Sequence, residues 1–178
     1  MENSFYYFFS STPQVLSGIL ALFGVFVIFK IQSLKGNLLG SGQEFLDEFE
    51  RNENVKTIVN NANKYLESRL KKAIHKQDVH LLKEHIKNLV IIINTPSFIE
   101  KEEAYNFKIK FLDALIKDTI KSSIFTACLI VLCLVILPFG KLLLSNLCIL
   151  SLVFLIVIMC LTYIIIILVK IIIKSLKE

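Results

Sequence analysis

The sequence predicts an all-α integral membrane protein with three transmembrane helices. A small cytoplasmic helical bundle is expected between spans one and two, its last helix continuous with span two. Three observations lead there. The 178 residues are 54% hydrophobic and only 20% charged, whereas a soluble domain sits near about 45–50% apolar with about a quarter of its residues charged. The apolar residues are clustered: residues 15–29, 124–140 and 142–169 carry no charge, and about 20 helical residues cross a ~30 Å hydrocarbon core. Between the first two runs the chain turns polar, with apolar residues at helical spacing. The expected division is residues 1–35 for the N-terminal tail and helix 1, 36–120 for the cytoplasmic domain, and 121–178 for a two-span hairpin with a short basic tail.

Span one is expected to start at Thr12 as N-cap, with Pro13 in the first turn where its missing N–H is not needed. It runs to about Ile31. The preceding aromatic cluster, Phe5 to Phe9, is of the kind that settles at the headgroup level. A signal peptide needs a basic n-region, and the first 29 residues contain no Lys or Arg, so an uncleaved anchor is expected. Ser10, Gln14, Ser17, Ala21 and Gly24 form a polar-to-small stripe along one face of this helix. Such residues let helices approach closely in lipid. The stripe either packs on spans two and three of the same chain or forms a homo-oligomeric interface or pore lining.

The middle segment opens with residues 35–42, which hold three of the six glycines and read as a linker. Phe45, Leu46 and Phe49 follow as a short apolar patch. Val55, Ile58, Val59, Ala62, Leu66, Leu70 and Ala73 then keep 3–4 spacing, with Glu67 and Lys71 as an i,i+4 pair on the outer face. A further helix is expected from Asp78, with Val79, Leu82, Ile86, Leu89, Val90 and Ile93 inward. Asn94-Thr95-Pro96 breaks the chain, and Ser97 with Glu100 matches a capping box. The helix so opened meets no breaker before Pro138.

Spans two and three are expected at about residues 123–140 and 147–169. Pro138 and Gly140 weaken the helix between them, and Ser145 is the expected cap of span three. Lysine placement then sets the orientation, because Lys and Arg near span ends stay in the cytoplasm. The N-terminal tail has none and the hairpin tip has Lys141 alone. Lys30 and Lys35 follow span one, Lys108, Lys110, Lys117 and Lys121 precede span two, and Lys170, Lys174 and Lys177 follow span three. All three spans agree on an outside N-terminus and a cytoplasmic C-terminus, in the cell (inner) membrane.

The sequence pI near 9.0 invites a nucleic-acid reading, but residues 36–120 balance 13 Lys/Arg against 13 Asp/Glu. The basic excess flanks the spans, so no nucleic-acid partner is expected. Lys170, Lys174 and Lys177 are instead expected to contact lipid headgroups, each worth about 1 kcal/mol at an anionic surface. His75, His80 and His85 are spaced by five, about 140° apart around a helix, so no metal site is expected. Cys128, Cys133, Cys148 and Cys160 lie in spans two and three and read as small packing residues. No span holds an interior Asp, Glu, Arg or His, which counts against a proton-coupled transporter. Phosphate-binding loops, dinucleotide fingerprints and catalytic motifs are missing from the sequence, so neither an enzyme nor a cofactor is expected. The expected function is an assembly, sensor or regulatory role through the cytoplasmic helices, by self-association or a protein partner. A homo-oligomeric pore is the alternative. The order of elements, an outside N-terminus, one span, a cytoplasmic helical domain and a two-span hairpin, resembles the TolQ/ExbB type of energy-transducing inner-membrane proteins. The resemblance is one of layout, with Pro138, Thr126 and Thr162 isolated among Leu, Ile and Val, and it carries no site residue across.

Overall fold

The computed structural model describes residues 2–51 and 62–176. Among these, every regular element is helical: α1 (Glu2–Arg51), α2 (Ala62–His75), α3 (Val79–Ile93), α4 (Pro96–Ile136), a 3₁₀ turn (Leu137–Phe139), α5 (Gly140–Leu144) and α6 (Leu147–Leu176). Three helical stretches are long and apolar enough to cross a membrane: Asn3–Arg51, Pro96–Leu144 and Leu147–Leu176. The chain divides into two compact units, Met1–Lys30 with Leu115–Glu178, and Ile31–Ala114.

The first unit is apolar. On α1 the buried residues Phe5, Leu16 and Val27 are eleven apart, as are Thr12 and Phe23. Eleven residues make three turns at close to the helix's own period, so the stripe drifts little. On α6, Leu150, Val157, Ile164 and Ile171 are buried at intervals of seven, and α4 presents Ser122, Thr126, Leu129 and Cys133 at 4-3-4 spacing. These are the spacings of a helix–helix seam. Asp118 pairs with Lys174 at 3.2 Å and the Phe125 ring meets Tyr163 edge-on at 5.5 Å, so α4 and α6 run antiparallel. Phe8 and Phe9 stack against Phe154 near the start of α6, at 4.8 and 5.3 Å. The start of α1 and the hairpin tip therefore share one end of this unit, and Lys121 and Lys170 mark the other.

Several local expectations change here. Pro13 lies inside α1, which begins at Glu2. Thr12 caps nothing; its Oγ1 donates to the Phe8 carbonyl at 2.8 Å. Phe5 and Phe9 are core residues, 1% and 0% exposed, while Tyr7 stays outside. At the hairpin turn Asn146 supplies the cap in place of Ser145, its Oδ1 accepting from the Ile149 N–H at 3.4 Å. Ser145 Oγ donates to Leu142 O instead. Gly140 is required by close approach: a Cβ there would lie 2.7 Å from Phe5 Cε1 and 2.8 Å from Tyr6 Oη.

The second unit carries most of the charges and has its own core. The stretch expected as a linker is helical within α1, because Leu34, Leu38, Phe45 and Phe49 continue a buried face through its glycines. Gly42 belongs to that face, and a Cβ on it would overlap Leu82 Cδ2. Val55, Ile58 and Val59 lie outside the described residues. Leu70 and Ala73 of α2 are fully buried. The α2–α3 turn is a Schellman closure: Asp78 N donates to Ala73 O and Gln77 N to Ile74 O, with Gln77 in the left-handed region at φ 53°. Asp78 then caps α3 through the N–H groups of His80 and Leu81. Val79, Leu82, Ile86, Leu89, Val90 and Ile93 all point inward, as their spacing predicts. Asn94 (φ 47°) ends α3 in the left-handed conformation. α4 starts one residue before the expected cap: Thr95 O receives the first N–H bonds, Pro96 occupies the first turn, and Ser97 Oγ reaches Glu48 at 3.3 Å. Proline at the first helical position displaces the capping box.

Candidate functional site

Gln14, Ser17 and Ala21 are exposed, and Gly24 is half-buried. A Cβ added at Gly24 or at neighbouring Gly18 would meet nothing. The stripe thus lies on the side of α1 that its own unit leaves open, away from Phe9, Leu16, Phe23 and Val27. Its hydroxyls are locally satisfied: Ser17 Oγ donates to Gln14 O at 2.9 Å and Ser10 Oγ to Tyr7 O at 3.1 Å. Among the described residues, small side chains that face inward include Ser122, Thr126 and Cys133 on span two, with Thr12 on α1 and Ser175 on α6. Those on span two were legible as a Ser/Thr/Cys series at helical spacing within an otherwise bulky span.

Lys170 and Lys174 are exposed at the end of α6, and Lys177 lies outside the described residues. Lys174 is held by Asp118. Beside that pair is a cleft of about 390 Å³ whose lining includes Lys121, Ser122, Phe125, Tyr163 and Lys170. Lys170 is the headgroup contact expected from sequence; the antiparallel pairing of α4 with α6 brings Lys121 to the same cleft.

In the charged unit, His85 is buried, 4% exposed. Burial holds its imidazole below the ordinary histidine range, helped by the positive charge of Arg69 and opposed by Glu84. His80 Nε2 lies 3.4 Å from Asp113. Among the described residues no three His, Cys, Asp or Glu side chains gather as a metal-ligand group. Cys133 is buried and Cys160 partly so, but Cys128 and Cys148 are exposed, so only the first two pack inside their own unit. Lys71 bridges Glu50 (2.9 Å) and Glu67, and Lys101 pairs with Glu48. These two carboxylates raise the Lys71 ammonium above the ordinary lysine range, Glu67 foremost. Ile91 and Phe107 stand out on this polar surface, 67% and 66% exposed.

Fold and surface together define an all-α protein with three helices fit to cross a membrane and a second, charge-bearing helical unit. Comparison with family models, with curated proteins and with solved structures finds no match to the chain.

Proposed function

We propose that this is a non-enzymatic multi-pass protein of the cell inner membrane, acting as an assembly, sensor or regulatory component through a cytoplasmic helical bundle. The carrying observation is the exposure of Ile91 and Phe107 on the charged unit. Exposed apolar side chains mark contact with another protein where they are contiguous; Ile91 has such a neighbour in Ile92, 41% exposed, and a second copy of the chain is the simplest partner. Lysine asymmetry supports an outside N-terminus: Lys30, Lys121 and Lys170 close the uncharged stretches at one end of the apolar unit, and Lys141 alone stands at the other. With that orientation, α4 (Pro96–Ile136) passes from the bundle into span two and couples movement of one to the other. The even charge of residues 36–120 favours protein over nucleic-acid contacts.

In-cell crosslinking and pull-down test the reading. Recovery of a dimer or a discrete partner, weakened by Ile91→Asp and Phe107→Asp, is expected. A chain that stays monomeric in detergent and yields no partner would sink it. Topology is tested separately with Lys72→Cys, which should resist a membrane-impermeant thiol reagent in intact cells.

The outward position of Gln14, Ser17 and Ala21 favours one second reading, a homo-oligomeric pore lined by α1. Liposome ion flux unchanged by the protein, and by Gln14→Leu or Ser17→Leu, would exclude it.

A further inference from the structure

We propose that the cleft between the lysine ends of α4 and α6 is a binding site for the phosphate headgroup of an anionic glycerophospholipid. The cleft needs only that the hairpin sits in a bilayer, so it is independent of whether copies of the chain associate.

Its position comes first. Lys121 is the last charge before the uncharged run of α4, and Lys170 is the first charge after that of α6. The antiparallel pairing brings both to the same cleft. That level is where a span leaves hydrocarbon and meets headgroups. The chemistry of the lining follows the same division. Towards the span it offers the rings of Phe125 and Tyr163, in edge contact at 5.5 Å, with Ile167, while Ile171 lines it at the level of Lys170. These are surfaces for an acyl chain and glycerol backbone, and a tyrosine ring is suited to the interface because one end is apolar and the other wet. Away from the span it offers two ammonium groups.

The charge balance favours an anion. Asp118 also lines the cleft, but its carboxylate is engaged by Lys174 at 3.2 Å. With Asp118 engaged by Lys174, the two lysines of the lining, Lys121 and Lys170, give the cleft a positive character that matches the sign of an anionic leaflet. A further polar group lacks a partner: Ser122 is 3% exposed, and its Oγ has no hydrogen-bond partner among the described residues. Buried hydroxyls without partners are uncommon, and this one lines the cleft.

A soluble phosphate shares the headgroup's chemistry, but it would leave the Phe125–Tyr163–Ile167 surface uncovered. The full-length protein in mixed micelles, with bound lipid counted by native mass spectrometry, separates the two. Phosphatidylglycerol should outcompete phosphatidylcholine, with about a fivefold loss of that preference for each of Lys121→Gln and Lys170→Gln. Lys141→Gln, at the hairpin tip, and the paired Lys121→Arg, Lys170→Arg variant should keep it. Equal occupancy by the two lipids, or a preference that survives both Gln substitutions, overturns the proposal. So does displacement of the lipid by inorganic phosphate alone. Should the double Gln variant fail to fold, each single variant carries the same comparison.

Discussion

The phenol of Tyr105 on α4 donates a hydrogen bond to the backbone carbonyl of Val79 at 3.3 Å, joining α4 to the first turn of α3 inside the charged unit. Burial raises the phenol above its ordinary range, with the charge of Asp78 adding to it, so the donor stays protonated at physiological pH. Tyr105→Phe keeps the ring and removes the bond. The expected cost is about 1 kcal/mol, read as a lower thermal midpoint of this unit by circular dichroism or hydrogen exchange.

The glycines of α1 should respond with opposite signs. Gly42→Ala drives a methyl into Leu82 Cδ2, and Leu82 is fully buried, so repacking should cost about 1–3 kcal/mol. Gly36→Ala and Gly40→Ala add a methyl where nothing lies within 4 Å and should stabilise the helix by about 0.5–1 kcal/mol each. Denaturant midpoints of the three variants decide it, and equal effects would contradict the close approach at Gly42.

Gln77 holds the left-handed position of the α2–α3 turn at φ 53°. A side chain there costs about 1–2 kcal/mol that glycine avoids. Gln77→Gly should raise the thermal midpoint, its gain reduced by the extra freedom glycine has in the unfolded chain. Gln77→Val should lower it.

His85 makes the charged unit sensitive to acid. Its folded-state pKa is depressed by burial first and by Arg69 second, with Glu84 opposing. The unfolded chain therefore binds the proton more readily, below its ordinary pKa of about 6.5. This contribution to stability is complete above that pH and is lost as the pH falls. Thermal midpoints recorded from about pH 7.5 to 5.5 should decline in the native chain, and decline less in His85→Leu. Identical slopes would show that the imidazole is not the group responsible.

Composition and spacing alone determined the three apolar helices, the inward face of α3 and its start near Asp78, and the break at Asn94 to Pro96. Each of these rests on local chemistry: a run of uncharged residues, a 3.6-residue period, a proline. Tertiary structure decided what local signals left open. Pro13 reads as a helix start, but α1 begins earlier because Phe5 and Phe9 gain more by packing near Phe154. Three glycines read as a linker, but the buried face of α1 runs through them and Gly42 is needed for contact with Leu82. Ser97 with Glu100 matches a capping box, but Ser97 turns to Glu48, distant in sequence. The headgroup cleft was the least legible. Lys121 and Lys170 lie 49 positions apart, and only the antiparallel register of α4 and α6 makes them neighbours. Periodicity shows which face of a helix is buried; which residues of two helices meet depends on how the helices align.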